Sequence, residues 1–195
     1  MAIATADSLN IPLILANDPD ADRFNAAEKS NGKWHIFTGN EMGILLAHHV
    51  LQPYLLPNPP APLDKLAMLS SAVSSKMLRA MARKEGFRHV ETLTGFKWMG
   101  NRSLELVGEG FVAPYAFEEA IGYMFSEIAR DKDGVAAATA FLALVAGLYS
   151  RGQTVGGLLE ELYQRYNLYA RVLLMVGMGT LHPGIGMLFV KIQRL

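Results

Sequence analysis

The sequence predicts an α/β protein with layered α/β/α domains, one partial and one nearly complete. Short apolar runs, typical of buried strands, alternate along the chain with longer segments of helical periodicity. Such alternation is typical of sheets that are covered by helices. The 195 residues are 51% hydrophobic and 18% charged, an ordinary globular composition, and the length suits one domain or two small ones.

The first predicted elements are a strand and a hairpin. Residues 11–16 form a short apolar run that ends at an acidic turn, which predicts a buried strand. Residues 24–29 and 34–37 are two further strand-like runs, and the turn between them contains Asn31 and Gly32. An Asn-Gly pair between two such runs is the strongest short-range signal for a hairpin.

A helix and a linker are predicted next. Thr38 and Glu41 have the spacing of a capping box, in which the threonine hydroxyl accepts a first-turn amide and the glutamate reaches back. The helix is expected to end near Gln52. Residues 53–62 contain five of the nine prolines. Because proline lacks an amide donor and fixes φ, this stretch is predicted to be a linker.

Strands and helices alternate beyond the linker. The helix at 76–84 should be capped by Ser74 or Ser75. The helix at 135–149 is so apolar that it should be largely buried. The expected series is strands at 66–69, 89–93 and 111–117, and helices at 76–84, 97–107, 135–149 and 155–166.

Composition restricts the partners and the location. The 18 basic residues equal the 18 acidic ones, which argues against a nucleic-acid partner. There is no cysteine, and the first residues do not read as a signal peptide, so we expect a cytoplasmic protein. The tail at 169–195 contains an apolar stretch just long enough to span a bilayer. Its glycines and Pro183 lower its helix propensity, which favours an irregular end over a membrane span.

The sharpest motif is an alternating series of aspartates directly after the first strand. Asp18, Asp20 and Asp22 can converge on one cation if the loop curls, and hard divalent cations prefer such oxygen ligands. A solvated acidic turn also fits the pattern. An EF-hand is excluded, because its glycine position holds Arg23 and its final glutamate position holds Lys29. A phosphatase that uses Asp18 as nucleophile and Asp20 as acid stays open, although that class expects Thr or Val instead of Asp22.

Two further clusters follow predicted strands. Thr94, Gly95 and Lys97 precede a helix, where backbone amides and a lysine can bind an anion, although an ordinary turn fits as well. Glu118 and Glu119 end another strand. Glu118 can accept hydrogen bonds from sugar hydroxyls, while surface glutamates are the alternative.

A third cluster precedes the apolar helix at 135–149. Asp133 is expected to be the N-cap of this helix, because an aspartate at that position accepts first-turn amides. Lys132 would then be free to point at a ligand. The sequence therefore offers a second cation near the helix start.

The order of five motifs resembles the α-D-phosphohexomutase superfamily, in its phosphoglucomutase/phosphopentomutase branch. Two motifs are most similar to that branch, namely Gly-Phe-Lys-Trp-Met-Gly-Asn-Arg and Phe-Glu-Glu-Ala-Ile-Gly-Tyr. The likeness extends over about residues 4–166. The five motifs are residues 16–23, 38–41, 94–102, 117–123 and 131–134.

The resemblance implies roles for ten residues. Magnesium would be the cofactor, and Ala120 departs from the serine of many relatives, so one sugar contact is expected to differ. The implied metal ligands are Asp18, Asp20 and Asp22, the catalytic residues Arg23, Lys97 and Lys132, and the substrate-binding residues Thr94, Gly95, Glu118 and Glu119.

The resemblance also implies an activity and a domain plan. The activity is an intramolecular phosphate transfer between a sugar 1-phosphate and a sugar 5- or 6-phosphate through a sugar bisphosphate, with no protein partner evident. Family members have four domains, and neither the phosphoserine loop nor the fourth domain is visible here, so a truncated gene product is expected. The alternative is an inert product that at most binds magnesium or sugar phosphate. The expected parts are the end of the second domain (1–52), the linker (53–62), the third domain (63–168) and the divergent tail (169–195).

Overall fold

The computed structural model describes residues 1–166, which fold into six helices and seven strands. The predicted tail at 169–195 lies outside the described residues. Among residues 1–166, no helix combines the length and apolar character needed to cross a membrane. The helices are α1 (Ala2–Ser8), α2 (Gly39–Leu51), α3 (Met77–Glu85), α4 (Phe96–Gly108), α5 (Gly134–Tyr149) and α6 (Val155–Arg165). The strands are β1 (Leu13–Asn17), β2 (Phe24–Ser30), β3 (Lys33–Ile36), β4 (Leu66–Ser71), β5 (Arg88–Thr92), β6 (Val112–Glu118) and β7 (Gly122–Phe125).

The first sheet is an antiparallel meander in the order β1-β2-β3. The predicted hairpin is confirmed, with Ser30 paired to Lys33 across the turn. Asn31 and Gly32 have φ values of 49° and 76°. Positive φ at both central residues is what a tight hairpin needs to match the strand twist, and asparagine and glycine tolerate it best.

The second sheet has the order β5-β4-β6-β7, with β4 parallel to both β5 and β6. Strand β7 runs antiparallel to β6 and was not predicted from the sequence. The turn between them places Ile121 at φ 56°, in the left-handed region that β-branched residues rarely adopt. The sequence therefore contains no ordinary turn signal before β7.

Helices cover both faces of the second sheet, which confirms the predicted α/β/α layering. Alternate residues of β4 point to opposite faces. Ala67 and Leu69 join a core under α4, while Leu66 and Met68 join the larger core formed with α2, α3, α5 and α6. The larger core also includes Phe24 of the first sheet, so the two sheets share one interior.

Helix α2 begins at the capping box that the sequence predicts. The Thr38 hydroxyl accepts from the amide of Glu41, and the Glu41 carboxylate accepts from the amide of Thr38 at 2.7 Å. Helix α2 packs against β6 of the second sheet and against α5. Residues 53–62 contain no regular element apart from the end of a 3₁₀ turn at Gln52–Leu55. The predicted domain boundary in this stretch stays a prediction.

Three details of the helices differ from the expectations. Helix α1 was not predicted. The residue at the N-cap of α3 is Lys76, whose side chain accepts no amide. The predicted serine contact is nevertheless present one residue earlier, since the Ser75 hydroxyl accepts from the amide of Met77 at 3.2 Å. Helix α5 is buried on one face only, because Val135, Leu142 and Tyr149 are exposed.

Candidate metal centre and its surroundings

The three aspartates lie on one tight loop between β1 and β2. One carboxylate oxygen from each of Asp18, Asp20 and Asp22 lies within 4.8 Å of the others. The loop turns sharply because Ala21 adopts φ 57°, and the Ala21 amide donates to the Asp18 carbonyl at 3.0 Å. The predicted convergence of the three carboxylates is therefore present in the structure.

The loop is anchored on the first turn of α5. The Gly134 amide donates to the carbonyl of Ala21 at 3.1 Å, and the side-chain amide of Asn17 donates to the carbonyl of Arg23 at 2.7 Å. A methyl group on Gly134 would overlap the carbonyl oxygen of Arg23, so only glycine allows this close approach. The start of α5 thus fixes the shape of the loop.

The donor set fits a hard divalent cation. Ligands of an octahedral magnesium ion lie about 3 Å apart when adjacent and about 4.2 Å apart when opposite. Oxygens that already lie within 4.8 Å of one another therefore need only small movements to bind one ion. The Oδ1 atom of Asp22 is shielded from solvent and accepts no hydrogen bond from the described residues. Leaving such an acceptor unpaired costs about 1–3 kcal/mol. A cation bound by the three carboxylates would satisfy it.

Two basic side chains face this loop. The Nζ atom of Lys132 lies 2.6 Å from Oδ2 of Asp22, and this hydrogen bond is the main cause of the raised pKa of Lys132. The guanidinium of Arg23 is looser, at 3.9 Å from Oδ2 of Asp18. The pKa of Asp18 is lowered, chiefly because its carboxylate accepts the backbone amide of Arg23.

The prediction for the start of α5 is half right. Asp133 is the N-cap, and its carboxylate accepts from the amides of Val135 and Ala136 at 3.0 and 2.9 Å. Lys132 is not free, because it pairs with Asp22. Spacing along the chain did not reveal this pair, since the two residues are brought together only by the packing of α5 against the loop.

The second cluster lies where β5 and β6 end. The Oε1 atom of Glu118 accepts from the amide of Gly95 at 2.6 Å, which joins two of the predicted substrate-binding residues. Parallel strands present their carboxyl ends at one edge of a sheet, the usual place for ligands in α/β folds. Thr94 and Lys97 are exposed at the start of α4 beside this contact.

The two clusters adjoin each other. The amide of Phe24, directly after the aspartate loop, donates to the carbonyl of Ile121 at 3.2 Å. Gly122 pairs with Glu118 in the sheet, and the Lys132 Cδ atom lies 3.5 Å from where a side chain of Gly122 would begin. The structure therefore brings the predicted metal ligands, Lys132, Glu118 and Gly95 to one continuous edge.

Glu119 has a different environment from its neighbour Glu118. Its Oε2 atom accepts from the hydroxyls of Ser71 and Ser74 at 3.1 and 3.2 Å, and its amide donates to Ser74. These contacts tie the β6–β7 turn to the loop after β4. The sequence did not indicate that either serine contacts Glu119. The available signal was that Ser71 ends the buried strand β4 and Ser74 follows three residues later, at the sheet edge where Glu118 also lies.

A structural carboxylate, Glu28, was also not predicted from the sequence. Glu28 is 2% exposed and accepts from the amides of Val155 and Gly156, at 2.9 and 2.8 Å, and from the Tyr149 hydroxyl at 3.1 Å. Burial, followed by the charge of Glu28, raises the pKa of Tyr149 to about 12. The sequence signal for a buried Glu28 was its position two residues after Ala26, because alternate residues of a strand lie on the same face.

Comparison with protein families and curated sequences gives a consistent result. Residues 38–166 match the family model of phosphoglucomutase/phosphomannomutase, alpha/beta/alpha domain III. The chain is 47% identical over 169 residues to a probable phosphoribomutase of Schizosaccharomyces pombe, and 45% identical over 171 residues to the phosphopentomutase of Homo sapiens. Each alignment covers 87% of this chain and 28% of the relative, so the chain spans less than a third of their length.

Solved structures share the fold. A putative phosphomannomutase from Thermus thermophilus superposes with a TM-score of 0.66 at 20% identity, over 84% of this chain and 34% of that one. The N-acetylphosphoglucosamine mutase of Aspergillus fumigatus, solved with GlcNAc-6P and magnesium, superposes with a TM-score of 0.57 at 16% identity. That match covers 78% of this chain and 35% of that one.

Proposed function

Because the chain belongs to the phosphoglucomutase/phosphomannomutase family, we propose that it is the metal- and sugar-binding part of a mutase. The reaction interconverts a sugar 1-phosphate and a sugar 5- or 6-phosphate through a sugar bisphosphate. A pentose phosphate is the proposed substrate, since the relatives named above are a phosphoribomutase and a phosphopentomutase. The observation that carries the proposal is the continuous edge on which the three-aspartate loop adjoins Lys132 and the Glu118–Gly95 contact.

Asp18, Asp20 and Asp22 would hold magnesium through one carboxylate oxygen each. When bound, the ion would offset negative charge on the oxygens of the transferring phosphoryl group. Arg23 and Lys132 face the same loop and would add fixed positive charge there, which stabilises a charged transition state most strongly where water is excluded. Their role is electrostatic and orienting.

Glu118 would hold the sugar. Its Oε1 atom already accepts the Gly95 amide, which fixes the carboxylate in place and leaves further acceptor positions for sugar hydroxyls. Thr94 and Lys97 are exposed beside it and can approach a phosphate. Glu119 would act indirectly, because its carboxylate is already engaged by two serine hydroxyls and holds the turn that bears Glu118.

The phosphoserine that the reaction needs would come from the part of the relatives' length that this chain does not span. The chain on its own is therefore expected to show no mutase turnover. A chimera supplies the phosphoserine and allows the roles proposed for this chain's residues to be tested by activity. In it, this chain's residues 4–166 replace the matching segment of the human phosphopentomutase.

The experiment is a coupled assay that converts ribose 1-phosphate to ribose 5-phosphate, with magnesium and a sugar bisphosphate activator. The chimera should be active, and Asp20→Asn in the chimera should lower kcat by at least about a hundredfold, as expected when transition-state charge stabilisation is lost. Asp64→Asn, at an exposed acid outside the site, is the matched control and should keep full activity. A folded but inactive chimera, or equal activity of the two variants, would refute the proposal. In that case the chain is at most a binding module for magnesium or sugar phosphate.

A further inference from the structure

The ammonium group of Lys132 binds one of the two carboxylate oxygens of Asp22, a candidate metal ligand. Its Nζ atom lies 2.6 Å from Oδ2 of Asp22, with both side chains only about a quarter to a third exposed, at 26% and 30%. The backbone on either side is fixed. The amide of Lys132 donates to the Asp131 carboxylate, and the amide of Asp133 donates to the carbonyl of Tyr123. The contact therefore belongs to a held segment, not to a loose surface side chain.

Asp22 is the aspartate with two unequal oxygens. Its Oδ2 atom carries the lysine, whereas its Oδ1 atom is shielded from solvent and has no hydrogen-bond donor among residues 1–166. If the ammonium group stays on Oδ2 while a divalent ion binds Oδ1, the carboxylate holds two cations a few ångströms apart. Like charges that close repel each other even in water, and more strongly where water is excluded.

We propose that Lys132 competes with magnesium for Asp22, and that metal binding releases the lysine ammonium, which can then bind a substrate phosphate. The inference rests on the proposed function, since it takes the three-aspartate loop as the metal site. Lys132 is then a residue that sets metal affinity. The released ammonium becomes available to a phosphate oxygen only after the metal has bound, so the two binding events favour each other.

Arg23 provides the contrast that makes the inference testable. Its guanidinium lies 3.9 Å from the Asp18 carboxylate and its side chain is 48% exposed. It carries the same charge beside the same loop without occupying a carboxylate oxygen at close range. A general electrostatic effect would act through both residues, whereas competition acts through Lys132 alone.

The experiment is calorimetric titration of magnesium chloride into the full 195-residue chain. Lys132→Met should bind magnesium about tenfold more tightly than wild type, because a charge in direct contact with a ligand is removed. Arg23→Met should change the affinity by about threefold or less, since its charge is more distant and more solvated. Lys132→Gln should reproduce the Lys132→Met result, which guards against a folding defect of one variant.

A double-mutant cycle with Asp22→Asn separates direct competition from general charge effects. The gain from Lys132→Met should disappear when Asp22 is already Asn, although Asp18 and Asp20 remain. If Lys132→Met binds no more tightly than Arg23→Met, or the gain persists in the Asp22→Asn background, the inference is overturned and the metal site stands. If no variant binds magnesium, the metal site fails and the proposed function fails with it.

The release step has its own readout. A lysine ammonium held in a close ion pair exchanges its protons slowly enough to be followed by ¹⁵N NMR of the side chain. The Lys132 signal, identified by its loss in Lys132→Met, should be present without metal and should broaden or shift on magnesium saturation. An unchanged Lys132 signal at saturating magnesium would contradict release.

Discussion

Two carboxylates of the first sheet and its loop, Glu28 and Asp22, show how the same chemical group serves two purposes. Glu28 is buried and accepts three hydrogen bonds from α5 and α6, so that both of its oxygens have donors inside the protein. Asp22 has one ion pair and one shielded oxygen that accepts no bond from the described residues. The satisfied carboxylate holds the fold together, whereas the unsatisfied one is available to a ligand.

The largest expected effect is the loss of stability on replacing Glu28, the carboxylate with both oxygens hydrogen-bonded. Glu28→Ala removes the acceptor of two amides at the start of α6 and of the Tyr149 hydroxyl. The amides of Val155 and Gly156 would lose their acceptor where water reaches them poorly, which should lower the free energy of unfolding by about 3 kcal/mol. Urea denaturation measures this, with Glu105→Ala as the control, because the Glu105 side chain forms a surface ion pair with Arg102. Equal stability of the two variants would remove the structural role given to Glu28.

The next effect concerns the anchor of the metal loop. Gly134→Ala places a methyl group against the carbonyl oxygen of Arg23 and should cost about 2 kcal/mol of stability through forced displacement of the backbone. The same variant should weaken magnesium binding, because the loop moves. Gly108→Ala is the matched control, since no atom lies within 4 Å of its new methyl group. It should leave stability unchanged or raise it, and a Gly134→Ala protein as stable as this control would contradict the anchoring role.

Replacing an aspartate of the metal loop should have the opposite effect to replacing Glu28, because metal binding should weaken while stability is kept. Asp20 is exposed, and Asp20→Asn removes one charge from the ligand set, which should weaken magnesium binding by about tenfold. Without metal the variant should be as stable as wild type or slightly more so, because repulsion among the three carboxylates is reduced. Calorimetry measures the magnesium affinity, and urea denaturation measures the stability without metal. A large loss of stability without metal would mean that Asp20, like Glu28, is structural.

The smallest expected effect is the acid behaviour of Asp18. Hydrogen bonding from the Arg23 amide lowers its pKa in the folded protein below the ordinary value of 3.8. The stabilisation is therefore complete above pH 3.8 and is lost as the pH falls through the lower folded pKa. Carboxyl ¹³C NMR without metal, assigned with Asp18→Asn, should give a midpoint below 3.8. A midpoint at or above that value would show that the amide does not hold the carboxylate.

Local signals predicted the local parts of this structure. The Asn31-Gly32 hairpin, the Thr38–Glu41 capping box and the Asp133 cap depend on residues close in sequence, and all three are present. Strand β7 was missed because Ile121 turns the chain in a conformation that its residue type does not indicate. The aspartate loop was visible because its three carboxylates alternate along one short segment of the chain.

Contacts between distant residues could not be predicted in the same way. The Lys132–Asp22 pair joins residues on separate elements, as do the contacts of Glu28 with α6 and of Glu119 with Ser71 and Ser74. These contacts depend on how α5 and α6 pack against the sheets and on how β4 pairs with β6. The sequence marked these residues only as carboxylates, a lysine and serines near strand ends, which is too general to identify a partner.

The most direct test of the metal centre is an anomalous difference map from crystals soaked in manganese, which replaces magnesium at oxygen sites. The account predicts one peak within direct coordination distance, about 2.2 Å, of an oxygen from each of Asp18, Asp20 and Asp22. Lys132 should have moved away from Asp22 in the same crystals. No peak at this loop, with its carboxylates facing solvent at saturating manganese, would contradict the account.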